Sequence, residues 1–317
     1  MMALTLATHA ARSQPPQPAT APPSPPVAQL GVEIPTLGGG NWWTVLRPRY
    51  ISPENMQDIR DRLHASYVRT GWIPSRLRHE IRWRREDDGM DVVCASGLHL
   101  MAIVPSLKDD DLGEDDLVQN VREFFARYTQ RYPGCIRYAE IANEADLQIS
   151  RFPDVEAYAE YYGKVAPIVA SFGIPVITSG ISGKDLPWTY ALAHLLRDAD
   201  APVDGYGFHP YGVAIGDLAG ATNAIARAAA VRPDASLPSV YVTEIGQSDA
   251  RDLYATIVEL ARLTPAITIY EYAAQPGEDP RYGLKNNPAL YAAVQRAWSA
   301  LHGGTTSGTT HLGVAGH

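Results

Sequence analysis

The chain has 317 residues, with 27 basic against 35 acidic side chains and a net charge of −8. Apolar residues make up 45% and charged residues 20%, the profile of a soluble globular protein with one large domain or two ordinary ones. The acidic balance argues against a nucleic-acid surface, and only four basic residues are lysine (Lys108, Lys164, Lys184, Lys285), which disfavours Schiff-base or P-loop chemistry.

Residues 1–27 read as a tail. MMALTLATHAARSQ is followed at 15–26 by PPQPATAPPSPP, a polyproline-like spacer with nothing to bury. The apolar run near the start is short and no Lys or Arg precedes it, so a signal remnant and a plain disordered tail both stay open. A remnant would imply a secreted or periplasmic protein, and a plain tail a cytoplasmic one. No stretch of about 20 apolar residues occurs, so no membrane span is expected.

Eight runs read as strands: 28–35, 66–73, 98–106, 136–144, 175–180, 203–211, 239–246 and 266–274. Helical stretches alternate with them. SPENMQDIRDRLHA opens on Ser52 with Pro53 at the first helical position. DVEAYAEYYGKVAPIVASFG closes on Gly173, and NPALYAAVQRAWSALHGG runs from Asn287-Pro288 to Gly303. The strand ends recur every 28–39 residues, one β/α unit each. This is the pattern of a (β/α)₈ TIM barrel, a single domain over 28–302 with flexible tails at 1–27 and 303–317. The alternative is a doubly wound sheet. It would carry a G-x-G-x-x-G turn after the first strand, and the GGG at 38–40 lacks that form.

Cys94 and Cys135 lie in apolar contexts and are expected as buried free thiols, with one disulfide as the alternative. No Cys/His cluster suggests a metal, and the acidic run at 108–117 lacks EF-hand spacing, so neither metal nor cofactor is expected.

In a barrel of this kind the chemistry sits where strands end. The fourth strand ends in Asn143-Glu144, the seventh in Thr243-Glu244 and the sixth in His209-Pro210-Tyr211. The second carries Arg69 and ends at Trp72; the eighth carries Tyr270 and Tyr272. Glu144 and Glu244 each follow an apolar strand, where a carboxylate is costly unless paired or used. Two carboxylates facing each other across a barrel mouth suit cleavage of a glycosidic bond: one protonates the leaving oxygen, the other attacks carbon or activates water. By the period of two, Glu140 points the same way as Glu144 and needs an inward arginine, for which Arg69 is the natural candidate. Trp42 and Trp43 follow the first strand; they and Trp72 are candidate stacking platforms for sugar rings.

IRYAEIANEAD, followed one hundred residues later by VYVTEIG, resembles clan A of the glycoside hydrolases, retaining (β/α)₈ enzymes. The resemblance implies Glu144 as acid/base, Glu244 as nucleophile and Asn143 as a partner of the sugar 2-hydroxyl. It implies that Arg69, in YVRTGW, orients the nucleophile, and that His209 or Tyr211, in GFHPYG, contacts the nucleophile or the sugar. Ala142 and Ala145 stand where many members have an aromatic residue and a proline. Tyr270 and Tyr272 stand where many bring a Trp under the sugar, so Tyr272 joins the candidate sugar contacts. Both β-xylosidase-like and endo-β-glucanase-like families fit. The expected function is retaining hydrolysis of β-glycosidic bonds in an oligo- or polysaccharide. The rival is a barrel that binds carbohydrate without cleaving it. The expected partner is a carbohydrate substrate, with no nucleic acid and no membrane. Sugar, linkage, endo or exo action and oligomeric state stay open.

Overall fold

The computed structural model describes residues 28–35, 37, 51–72, 79–106, 113–147, 152–231, 236–274 and 279–302. The two expected tails, Trp42 and Trp43 lie outside the described residues.

Strands and helices alternate along the chain. The first half runs β1 (Gln29–Glu33), α1 (Pro53–Asp61), β2 (Tyr67–Gly71), α2 (His79–Ala95), β3 (His99–Val104), α3 (Glu114–Arg131), β4 (Ile136–Ile141), α4 (Val155–Ala170) and β5 (Val176–Thr178). The second half runs β6 (Ile181–Ser182), α5 (Leu186–Asp198), β7 (Tyr206–His209), α6 (Leu218–Ala228), β8 (Val240–Ile245), α7 (Ala250–Leu260), β9 (Ala266–Ile269) and α8 (Pro288–His302). Several helices start on side-chain caps. Ser52 Oγ accepts from the Asn55 amide (3.2 Å), Asp154 from Ala157 (2.8 Å) and Asp249 from Arg251 and Asp252 (2.8 and 3.0 Å). Each satisfies amides that the first helical turn leaves open. No helix among the described residues is long and apolar enough to cross a membrane.

All strand pairs are parallel, in the order β5-β4-β3-β2-β1-β9-β8-β7-β6. The two ends of this order, β5 and β6, are consecutive pieces of one strand path. The Thr178 amide donates to the Gly205 carbonyl (3.1 Å) and Ile177 bridges Gly205, so the sheet closes on itself. The fold is a (β/α)₈ TIM barrel.

The fifth expected strand, 175–180, is interrupted rather than continuous, and the cause is local. The Ser179 amide leaves the ladder for the Tyr158 hydroxyl (2.7 Å), and the Gly180 amide leaves it for Glu140 Oε1 (2.9 Å).

Two apolar clusters lie on opposite sides of the barrel wall. The larger joins strand residues such as Val32, Val68, Leu100 and Ile141 to helix residues such as Ile59, Phe124 and Val165. The smaller contains strand residues alone: Tyr67, Met101, Tyr138, Ile177, Tyr241 and Ala266. It fills the lower part of the barrel, as side-chain layers do in this fold. Room for these rings comes from small neighbours. A Cβ on Gly31, paired with Tyr67 across the β1–β2 ladder, would sit 2.1 Å from the Tyr67 ring.

Cys94 and Cys135 form a disulfide, which corrects the expectation of free thiols. Cys94 lies in the last turn of α2 and Cys135 immediately precedes β4. Both flank β3 at the same end of the barrel, where the Leu100 amide donates to the Cys135 carbonyl (2.8 Å). Their separation of 41 residues gives no hint of that proximity.

Candidate active site

The period of two along each strand lifts a charged layer above the tyrosine layer. Arg69 follows Tyr67, Glu140 follows Tyr138, and Thr243 follows Tyr241. Arg69 is fully buried, a position that an arginine holds only when its donors are met. Its Nε donates to Glu140 Oε2 (2.7 Å), its Nη1 to Glu244 Oε2 (2.8 Å) and to Glu33, and its Nη2 to Asn143 Oδ1. One guanidinium therefore ties together the ends of β1, β2, β4 and β8.

His209, the last residue of β7, is also fully buried. Its ring fits because Gly180 has no side chain; a Cβ there would lie 2.1 Å from His209 Nε2. Nδ1 lies 3.1 Å from Glu144 Oε1, and Nε2 lies 3.0 Å from Thr243 Oγ1. Thr243 in turn donates to Glu140 Oε1 (2.8 Å). Burial alone would lower the imidazole pKa. The charge of Glu244 and the hydrogen bonds to Glu140 and Glu144 outweigh it, so His209 is pushed up to about 9 and is an imidazolium at neutral pH. Both ring nitrogens then donate.

Glu244 is held as an anion. Burial opposes its charge, but His209 and Arg69 attract it and Tyr211 donates its phenol to Oε1 (2.8 Å), so its pKa is lowered. Glu140 is fully buried and held at about 2; burial is outweighed by Arg69 and His209. Glu33 goes the other way: burial dominates over Arg69, and the nearby Glu244 adds to it, raising its carboxyl to about 8.

Glu144 sits just past β4 on a turn with left-handed backbone at Ala142 (φ 63°) and at Glu144 itself (φ 46°). Such conformations cost about 1–3 kcal/mol each in a non-glycine residue and cluster at functional sites. The turn is held by the Ala145 amide on Ser179 Oγ (2.9 Å) and by the Ser182 amide on Asp146 Oδ2 (2.9 Å). Oxygens of Glu144 and Glu244 and a ring nitrogen of His209 all lie within 4.8 Å of one another. These three could in principle ligate a metal ion. However, both His209 nitrogens and both Glu244 oxygens are already engaged, and the cationic Arg69 borders the cluster. The donor set suits a proton-handling carboxylate pair better than a cation.

Of the residues expected at the site, Arg69, Asn143, Glu144, His209, Tyr211 and Glu244 meet in one hydrogen-bonded network. Two others do not join it. Trp72 is 2% exposed, stacks on Phe124 (centroids 3.7 Å apart) and donates its indole N–H to Asn120 Oδ1 (2.9 Å), so it fills the space under α3 rather than facing the mouth. Tyr272 is buried and turns outward, donating to Asp58 Oδ2 of α1 (2.8 Å). Trp42 lies outside the described residues. Glu33 belongs to the network and was not among the expected residues. It is the last residue of the first strand, so the strand-end rule that picked out Glu144 and Glu244 applies to it equally.

No family model matches the chain, and no curated protein matches its sequence. Solved structures do match in fold. A monomeric β-xylosidase from Caulobacter crescentus CB15 superposes with a TM-score of 0.67 at 14% identity, over 85% of this chain and 67% of that one. An exo-β-1,4-mannosidase from Opitutaceae bacterium strain TAV5 gives 0.61 at 13% identity, over 87% and 60%. A GH128 endo-β-1,3-glucanase from Pseudomonas viridiflava gives 0.55 at 14% identity, over 85% and 96%. At these identities the likeness is one of fold: this chain shares the (β/α)₈ barrel architecture of these structures.

Proposed function

We propose that the protein is a retaining glycoside hydrolase acting on β-glycosidic bonds. The observation that carries this reading is the pair Glu144 and Glu244, whose oxygens approach within 4.8 Å in two different environments. Retaining enzymes hold their carboxyl groups about 5–5.5 Å apart, whereas inverting ones leave about 6.5–9.5 Å for a water.

Glu244, kept ionised by Arg69 and Tyr211, attacks the anomeric carbon. Glu144, whose Oε1 is fixed by His209, protonates the departing glycosidic oxygen. A covalent glycosyl-enzyme forms. Glu144 then removes a proton from water, which displaces Glu244 and releases the sugar with its original anomeric configuration. Asn143, anchored on Arg69, offers its amide to the sugar 2-hydroxyl. The similar structures carry the names of exo- and endo-acting enzymes on different sugars, which supports the reaction class and leaves the sugar unassigned.

The test is hydrolysis of a panel of 4-nitrophenyl β-D-glycosides (xyloside, glucoside, galactoside, mannoside) and soluble β-glycans, with Glu244→Gln as control. Hydrolysis with a β-anomer as first product by proton NMR is expected. An α-anomer would overturn the retaining mechanism. Wild type no faster than Glu244→Gln on every substrate would instead indicate a barrel that binds carbohydrate without cleaving it.

A further inference from the structure

Arg69 is one cation faced by three carboxyl groups, and the three are not served equally. Glu140 accepts from Arg69 Nε, Thr243 Oγ1 and the Gly180 amide. Glu244 accepts from Arg69 Nη1 and from Tyr211. The Glu33 carboxyl has, among the described residues, only Arg69 Nη1, which it shares with Glu244. With Glu33, Glu140 and Glu244 all ionised, three anions would face the two buried cations Arg69 and His209 and leave negative charge uncompensated in a low-dielectric site, so one of them keeps its proton. The fewest donors mark Glu33 as that one. It is also the one that reaches furthest into the open: its side chain is 18% exposed, against 10% for Glu244 and none for Glu140 or Arg69.

A protonated carboxyl can donate a hydrogen bond, which a carboxylate cannot. We propose that Glu33 is a further specificity-determining residue of this site, donating from its carboxyl group to a hydroxyl oxygen of the sugar ring that lies against Glu244. The proposal rests on the glycosidase reading above. The groups that act on the Glu33 charge are Arg69 on β2, Glu244 on β8 and His209 on β7, and Tyr211 feels it as well; on the side of the neighbouring β9 the chain continues into Tyr270, Glu271 and Tyr272. The Tyr272 amide donates to the Glu33 backbone carbonyl (3.0 Å), while its phenol points away to Asp58. Ionisation of Glu33 would remove the donor and set a second anion beside the nucleophile. Activity should then decline on the alkaline side, near pH 8.

The experiment compares the full-length wild type with Glu33→Ala and Glu33→Gln on the best 4-nitrophenyl β-D-glycoside of the panel, from pH 5 to 10, with thermal melts of each. Glu33→Ala is expected to lower kcat/KM about 10- to 100-fold, the loss of a hydrogen bond in a desolvated site. Glu33→Gln, which keeps a neutral donor, should stay within about fivefold of wild type at pH 6 and carry its activity to higher pH. An unchanged kcat/KM in Glu33→Ala, or an unchanged alkaline limb in Glu33→Gln, overturns the proposal while leaving the glycosidase reading intact. Absence of hydrolysis by wild type overturns both. Carboxyl ¹³C NMR gives a readout free of turnover. One glutamate resonance should titrate near pH 8 and vanish in Glu33→Gln; a wild-type spectrum without it also overturns the proposal.

Discussion

The barrel interior has two storeys built from the same strands. The lower one holds the rings of Tyr67, Tyr138 and Tyr241, packed edge to face with Tyr67–Tyr138 and Tyr138–Tyr241 centroids 6.3 and 5.5 Å apart. The upper one, two residues further along each strand, holds Arg69, Glu140 and Thr243. The lower storey is stabilised by apolar area and a few neutral hydrogen bonds, such as Tyr67 to Thr268 (2.9 Å). The upper storey holds a buried ion pair, Arg69 with Glu140, in which each charge is tolerable only because the other is present. The difference teaches that one spacing rule can place a filling layer and a charged layer in one closed sheet.

Changes in the two storeys should therefore fail differently. The largest effect is expected from Glu244→Gln. It should reduce kcat by at least about 10³-fold on any substrate the wild type cleaves. Its denaturation midpoint should move little, since the amide still meets Tyr211 and Arg69. Arg69→Met should cost both. Removing the cation strands Glu140, which is 0% exposed, and the expected loss is about 3–5 kcal/mol by urea denaturation together with activity. An Arg69→Met variant of wild-type stability would mean that the upper storey is not electrostatically closed.

Below the tyrosines, the Cys94–Cys135 disulfide closes a loop with a sequence separation of 41. Chain-entropy bookkeeping for such a loop gives about 4 kcal/mol, so Cys94→Ala with Cys135→Ala should lower the melting temperature while leaving kcat/KM at 25 °C unchanged. A drop in kcat/KM would show that the two ends of the barrel are coupled. The smallest effect is expected from Tyr67→Phe, which removes the hydroxyl bonded to Thr268 and keeps the ring. About 1 kcal/mol of stability should go, with activity retained.

How much of this was legible in the sequence depended on whether a feature is periodic or a matter of distance. The strand rhythm was readable because each strand is bounded by caps and turns close in sequence, such as Ser52-Pro53 before α1. The inward direction of Glu140, and its need for Arg69, followed from counting by two. Glu33 obeys the same count, but its strand end carries no second motif residue that would mark it as part of the site. Trp72 and Tyr272 show the limit. Trp72 sits one residue past β2, where one more residue turns a side chain from the mouth to the helices, and Tyr272 lies three past β9, beyond the reach of the strand count; Phe124, Asn120 and Asp58 supply partners there that no local pattern announces. The Cys94–Cys135 bond and the break at Ser179-Gly180 are likewise settled by residues distant in sequence.

That break has a consequence for how the molecule changes over time. The strand order divides into two arcs, β1 to β5 and β6 to β9, which meet once at the β1–β9 ladder and again at the Gly180 seam. At the seam, Glu140 of the first arc accepts from Gly180 and from Thr243 of the second, while Gly180 makes room for His209. The groups placed around Glu144 and Glu244 are thus also the clasp that joins the arcs. A substitution there acts twice, once on the hydrogen bonds of the site and once on closure. Glu140, Gly180, His209 and Thr243 are accordingly expected to change together or not at all.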